Sequence, residues 1–113
     1  MTLARIREIL DANVLACERN MHHEVSSACG SDLMSDVLAF AKERVLLLTG
    51  LINPQVIRTA EMLDIKAIMF VRGKSPTPEM IALAEEKGMV LMNTGHPLYI
   101  SSGLLYSNGL GGT

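Results

Sequence analysis

Tryptophan is absent, and only two tyrosines and two phenylalanines occur in 113 residues. A core of large aromatic rings is therefore excluded, and aliphatic side chains with the eight methionines must fill the interior. Cysteine is nearly as scarce. Cys17 and Cys29 are separated by eleven residues and form no CxxC pair. Such thiols are expected to be reduced and partly buried, as in a reducing compartment. A metal pair completed by His22 or His23 matches neither the usual spacing nor the usual ligand count. Long apolar runs are missing too. Val45–Leu48 and Ala67–Val71 fall far short of the roughly 20 residues that span a bilayer. The opening segment Met1–Glu8 is amphipathic from its start and lacks the continuous apolar stretch of a signal peptide. Nor is there a cluster of basic residues. Ten Lys and Arg against twelve Asp and Glu leave a net charge of −2, which argues against a phosphate-tracking surface for nucleic acid.

What is present is an ordinary globular composition. Apolar residues make up 49% and charged residues 19%, too apolar for disorder and long enough for one buried core. The expectation is a single cytoplasmic domain over residues 1–113, with residues 99–113 as a glycine-rich tail. No membrane or nucleic-acid partner, no cofactor and no metal is expected.

Leu3, Ile6, Ile9 and Leu10 recur at helical spacing, which predicts an amphipathic helix over residues 2–11. Asn13–Glu18 and Glu24–Ala28 read as two short extended segments, loosely paired across Arg19–His23. Ser31 or Asp32 can cap a helix that places Leu33, Met34, Val37, Leu38 and Ala41 on one face and runs to about Lys42. From there the pattern turns regular. Arg44–Leu48, Ala67–Val71 and Met89–Met92 read as buried strands. Asn53-Pro54 and Thr77-Pro78 each place a capping side chain before a proline, the start signal of a helix. Gly88 suits the residue that closes the second of these helices. Gly50, Gly73 and Gly95 end the three strands at intervals of 23 and 22 residues. Each interval holds one strand, one loop and one helix, so the C-terminal half is a βαβαβ array. Near-continuous apolar strands with short crossovers imply parallel pairing covered on both faces: an α/β protein, three-layer α/β/α, with a largely parallel sheet. Leu98–Tyr106 reads as a short helix followed by a loose end.

In parallel α/β sheets ligands bind beyond the carboxyl ends of the strands. Three loops satisfy that rule: Thr49–Asn53, Arg72–Ser75 and Asn93–His96. Two lead into helix N-termini, where free N–H groups and the helix dipole favour anions. Arg72 and Lys74 add positive charge. The candidate ligand-binding residues are Thr49, Gly50, Asn53, Arg72, Gly73, Lys74, Thr94 and Ser35, and the candidate ligand is a small anion such as a phosphate or carboxylate. Turn glycines and helix caps explain the same residues without a ligand. Neither GxGxxG nor GxxxxGK[ST] occurs, so no dinucleotide or P-loop site is supported. Asp32 and Asp36 start a helix aimed at the same edge, and His96 follows the third strand, where an acid or base could sit. No catalytic triad order stands out.

The segment Val71–Glu79, continuing to Ala84, Gly88 and Thr94, follows a strand, Arg-Gly, Pro, helix, Gly, strand, Thr pattern. With Ser35–Ala39 and Leu48-Thr49-Gly50, it resembles the DRTGG domain family, which includes the N-terminal domain of HPr kinase/phosphorylase. The resemblance spans roughly residues 3–98. It implies a three-layer α/β/α regulatory domain of the kind found alone or attached to kinase, CBS or phosphotransacetylase modules. The eponymous Thr-Gly-Gly is replaced here by Arg72-Gly73-Lys74, and the resemblance brings no catalytic residues. The functional expectation is a non-catalytic regulatory module, a homodimer, that binds a small anionic metabolite or nucleotide at the strand ends. The alternative is a protein-interaction or oligomerisation module with no small ligand, reading the methionines and the apolar tail as a surface for a partner protein.

Overall fold

Burial along the central strands alternates between two cores. Leu46, Leu48, Ala67, Met69, Val90 and Met92 enter one. Val45, Leu47, Ile68, Phe70 and Leu91 enter the other. Successive side chains on a strand point to opposite faces, so a strand apolar at every position must be covered twice. The covering elements follow from that. The computed structural model describes residues 1–112. In chain order its elements are α1 (Leu3–Leu10), β1 (Asn13–Ala16), a 3-10 turn at Glu18–Asn20, β2 (Ser27–Gly30), α2 (Met34–Phe40), β3 (Val45–Thr49), α3 (Pro54–Met62), β4 (Ala67–Phe70), α4 (Pro78–Lys87), β5 (Val90–Asn93), α5 (Leu98–Ser107) and β6 (Gly111–Gly112). Leu3, Ile6 and Leu10 of α1 and Leu105 of α5 close the first face. Val37 of α2, Val56, Ile57 and Ala60 of α3, and Met80 and Ala84 of α4 close the second. The result is a three-layer α/β/α domain.

The sheet order is β1-β5-β4-β3-β2-β6. β2, β3, β4 and β5 are parallel to one another, and β6 adds in parallel to β2. Among the described residues only β1 is antiparallel, on β5, with an irregularity between Val14 and Ala16. The helix starts behave as their chemistry requires. Asn53 accepts the Gln55 N–H at 2.8 Å, Thr77 accepts the Met80 N–H at 3.2 Å, and a proline follows each cap. Gly88 closes α4 with φ +69°, a conformation that needs no Cβ. Phe70 is fully buried, so Phe70→Ala would cost about 3–5 kcal/mol.

Three local expectations are corrected. The segments before and after Arg19–His23 do not pair with each other, because β5, β4 and β3 lie between β1 and β2. The connecting loop serves α1 instead: the Leu3 and Ala4 N–H groups donate to the carbonyls of His23 and Met21 at 2.9 and 3.0 Å. That satisfies donors which a helix start leaves orphaned. Second, α2 has no side-chain cap, and its start is Leu33. Of its expected apolar face only Val37 is buried, while Leu33 and Leu38 are 59% and 46% exposed. Third, the segment after α5 is not a loose end. Leu110 is buried, and Gly111 and Gly112 pair with Ser27 and Ala28. No helix among the described residues is long and apolar enough to cross a membrane.

Candidate functional site

The ends of β3, β4 and β5 lie level. Thr49 pairs with Phe70, and Phe70 with Asn93, so the three following loops leave the sheet at one height. They are then stitched sideways. Val71 N–H donates to the Thr49 carbonyl at 3.1 Å, Gly73 N–H to the Thr94 carbonyl at 2.8 Å, and Arg72 N–H to the His96 carbonyl at 2.9 Å. This makes a continuous ledge rather than three independent loops.

The middle loop is a tight turn. Lys74 N–H donates back to the Val71 carbonyl at 3.2 Å, and both central residues have positive φ, +61° at Arg72 and +68° at Gly73. Two left-handed residues in succession are the mark of a type I′ turn. Glycine takes that conformation freely, whereas an arginine there carries about 1–2 kcal/mol of strain. The turn leaves Arg72, Gly73 and Lys74 exposed. Lys74 Nζ donates to the Gly50 carbonyl at 2.9 Å, which holds its ammonium over the end of β3. Buried Asn93 fixes the backbone beneath it: its amide donates to the Lys74 carbonyl at 3.3 Å and to Ser75 Oγ at 3.2 Å. Its own oxygen accepts from Asn13 at 3.2 Å. A polar residue closing an apolar strand was the available signal, since a buried amide must find partners.

Asp32 is the other residue that the sequence placed differently. It does not cap α2. Its Oδ1 accepts the Gly50 N–H at 2.6 Å and the Thr49 hydroxyl at 3.1 Å. Ser31 makes the local turn at that point, its hydroxyl accepting the Leu33 N–H at 3.0 Å. The reason is topological: β2 pairs with β3, so the residues just past β2 lie over the end of β3. Gly50 therefore sits between an acid and a base. A Cβ there would stand 3.5 Å from both Asp32 oxygens and 3.6 Å from Lys74 Nζ.

The remaining candidates divide. Thr49 is fully buried, its hydroxyl held by Asp32 and by the Leu51 N–H at 3.2 Å, so it faces a ligand only through Asp32. Asn53 is exposed at the same edge with its oxygen engaged in the α3 cap. Thr94 is buried and donates to the Leu10 carbonyl at 2.7 Å, tying β5 to α1 rather than facing outward. Ser35 is exposed in the first turn of α2 and makes no side-chain hydrogen bond among the described residues. No hydrogen bond joins the His96 ring to Asp32 or Asp36 among the described residues.

A second polar cluster lies away from the ledge. Cys17 is buried with φ +54°, and its N–H donates to Glu85 Oε2 at 2.8 Å. Arg19 pairs with Glu85 Oε1 at 3.0 Å. Burial first, and then the Glu85 carboxylate, push the Cys17 thiol above its ordinary value. The Cys17 N–H first, and then Arg19, hold the Glu85 carboxyl below the usual carboxylate range. A thiol so shielded is held in its unreactive form.

In fold, the three-layer domain is DRTGG-like. Among solved structures the chain is similar to the CBS and DRTGG domains of the regulatory region of Clostridium perfringens pyrophosphatase, complexed with its activator diadenosine tetraphosphate. The TM-score is 0.76 at 18% sequence identity, over 92% of this chain and 45% of that one. The chain thus spans less than half the length of that structure, and the likeness shows the fold. No family model matches the chain, and no curated protein matches it.

Proposed function

We propose that this chain is a non-catalytic regulatory domain of the cytoplasm, and that it binds a phosphorylated small molecule, a nucleotide or a related metabolite, on the ledge at the ends of β3, β4 and β5. The observation that carries this reading is the presentation of Arg72 and Lys74 on a strained turn between two stitched loops, with Lys74 already drawn over Gly50. Positive φ at Arg72 costs folding energy, and such strain tends to collect at functional sites. The similar pyrophosphatase region bound an activating dinucleotide, which favours a phosphorylated ligand. Thermal unfolding in the presence of AMP, ATP, ribose 5-phosphate and diadenosine tetraphosphate tests it. A true ligand at 100 times its Kd stabilises the fold by about 2.7 kcal/mol. An Arg72→Ala, Lys74→Ala double variant should lose that response. No stabilisation of the wild-type chain by any of the four, at millimolar concentration, would remove the reading.

A second reading, self-association, is favoured by a different surface. No Asp, Glu, Lys or Arg follows Lys87, and α5 exposes Tyr99, Ile100 and Tyr106 at 85%, 42% and 73%. An uncharged helix meets its own copy without like-charge repulsion, which suits a two-fold dimer. Light scattering on wild type and on Tyr99→Asp, Tyr106→Asp decides it. A dimer lost in the variant supports it, and a monomeric wild type excludes it.

A further inference from the structure

We propose that Asp32 is the specificity-determining residue of the ledge, and that it selects ligands carrying a hydrogen-bond donor, a hydroxyl or amino group, close to the phosphate. The inference rests on the proposal that the ledge binds a phosphorylated ligand. Asp32 Oδ1 is held by two donors, the Gly50 N–H at 2.6 Å and the Thr49 hydroxyl at 3.1 Å. Thr49 is itself fixed by the Leu51 N–H, so the carboxylate is oriented by a part-buried chain of bonds that starts at the fully buried Thr49. Oδ2 has no partner among the described residues, and Asp32 is exposed. Oδ2 is therefore an acceptor held in place through Oδ1, 3.5 Å from where a Cβ on Gly50 would stand.

Two roles are open to an acid beside an anion site: it can give way to the anion, or it can stay and read the group next to it. Giving way would break two bonds to a carboxylate at once, each of the stronger, charge-assisted kind. Staying breaks none. It makes the site bipolar, with Lys74 on one side of Gly50 and Asp32 on the other, both within 3.6 Å of where a Cβ would sit. No ion pair joins the two side chains among the described residues, so neither neutralises the other in direct contact. A bare phosphate gains from Lys74 and Arg72 but is repelled by Asp32. A phosphate ester of a polyol, such as a ribose phosphate, places its charge at Lys74 and a hydroxyl at Oδ2. Such a pair satisfies both groups, and the unpaired carboxylate is a penalty only against ligands lacking the donor.

Binding of methyl phosphate and of ribose 5-phosphate, measured by calorimetry on wild type and Asp32→Asn, tests this. The two esters carry the same charge and differ in hydroxyl donors. The substituted amide keeps an oxygen for Gly50 and Thr49 and turns the outward acceptor into a donor. Wild type should prefer ribose 5-phosphate by about ten- to a hundred-fold, the worth of one hydrogen bond to a charged group. Asp32→Asn should reduce that preference to within about three-fold, chiefly by binding methyl phosphate better and ribose 5-phosphate worse. Retained protection of the Gly50 amide against hydrogen exchange in Asp32→Asn would show that the inner bonds survive. Equal affinity of wild type for both esters, or an undiminished preference in Asp32→Asn, overturns the assignment while leaving the ledge a phosphate site. Binding of neither ester by either protein overturns this assignment, and the ledge reading falls with it when AMP, ATP and diadenosine tetraphosphate also fail to stabilise the wild-type chain.

Discussion

The carboxylate of Asp32 accepts the backbone N–H of Gly50 at 2.6 Å. This contact ties the approach to α2 to the end of β3, eighteen residues further along the chain. With the bond from the Thr49 hydroxyl, it is the only side-chain link between residues 31–33 and the ledge among the described residues, since the Ser31 hydroxyl bonds only locally.

Asp32→Ala should therefore destabilise the fold although Asp32 is exposed. Gly50 and Thr49 are buried, and both would lose their acceptor. The expected loss is about 1–2 kcal/mol, with Asp32→Asn costing less because its oxygen can still accept. Chemical denaturation of the three proteins would show the order wild type, Asn, Ala. An alanine variant as stable as wild type would mean that water replaces the carboxylate at no cost.

Arg72→Gly separates stability from binding. The φ of +61° strains an arginine and suits glycine, so the variant should be as stable as wild type or gain up to about 1 kcal/mol, the strain relieved less the added flexibility of the unfolded chain. Affinity for ribose 5-phosphate should fall. A stabilised variant with full affinity would show that Arg72 sits on the turn without serving the ledge.

Gly50→Ala should fold normally and bind poorly. Gly50 does not need the left-handed region, and an added methyl would meet Asp32 and Lys74 at ordinary contact distances of 3.5–3.6 Å. It would fill the space between acid and base. The melting temperature should change little while the calorimetric signal with ribose 5-phosphate disappears.

Thr94→Val is the complementary control. It removes the 2.7 Å bond to the buried Leu10 carbonyl and the acceptor of the His96 N–H. Stability should drop by about 1–2 kcal/mol. Affinity for ribose 5-phosphate should not change, because the hydroxyl faces α1.

The Cys17–Glu85–Arg19 cluster makes the stability of the fold depend on pH. Glu85 titrates below the usual carboxylate range when folded, so its stabilising contribution is complete above its unfolded value. That contribution is lost as pH falls through the folded value. Cys17 titrates above its ordinary value when folded, so its contribution is complete below the ordinary thiol value and fades as pH rises past it. Melting temperature should form a plateau across neutral pH and fall at both ends. Glu85→Gln should lower the plateau and flatten its acidic edge. In native protein at neutral pH, iodoacetamide should label Cys29 well before Cys17.

The sequence by itself determined the β3-to-β5 half, the helix starts at Asn53-Pro54 and Thr77-Pro78, and the glycines that follow the three strands. Those features are local. A run such as Leu46-Leu47-Leu48 must be covered twice, and a cap followed by proline fixes a helix start wherever it falls. Arg72 and Lys74 were legible as the charge of that edge for the same reason. Tertiary structure alone decided the rest. Asp32 read as a helix cap, on a helix aimed at this edge, because capping is the usual fate of an aspartate before an apolar helix. Only the pairing of β2 with β3 carries it to Gly50. Thr94 read as part of the edge, yet β5 packs against α1, and the Leu10 carbonyl takes its hydroxyl. Asn13–Glu18 and Glu24–Ala28 looked like partners because they are adjacent in the chain. Three strands of greater apolar content outcompete them for the centre of the sheet, and the loop between them is claimed by the free N–H groups of α1. Periodicity records which residues must be buried. Which polar groups meet across the sheet depends on strand order, and strand order is not a local property of the chain.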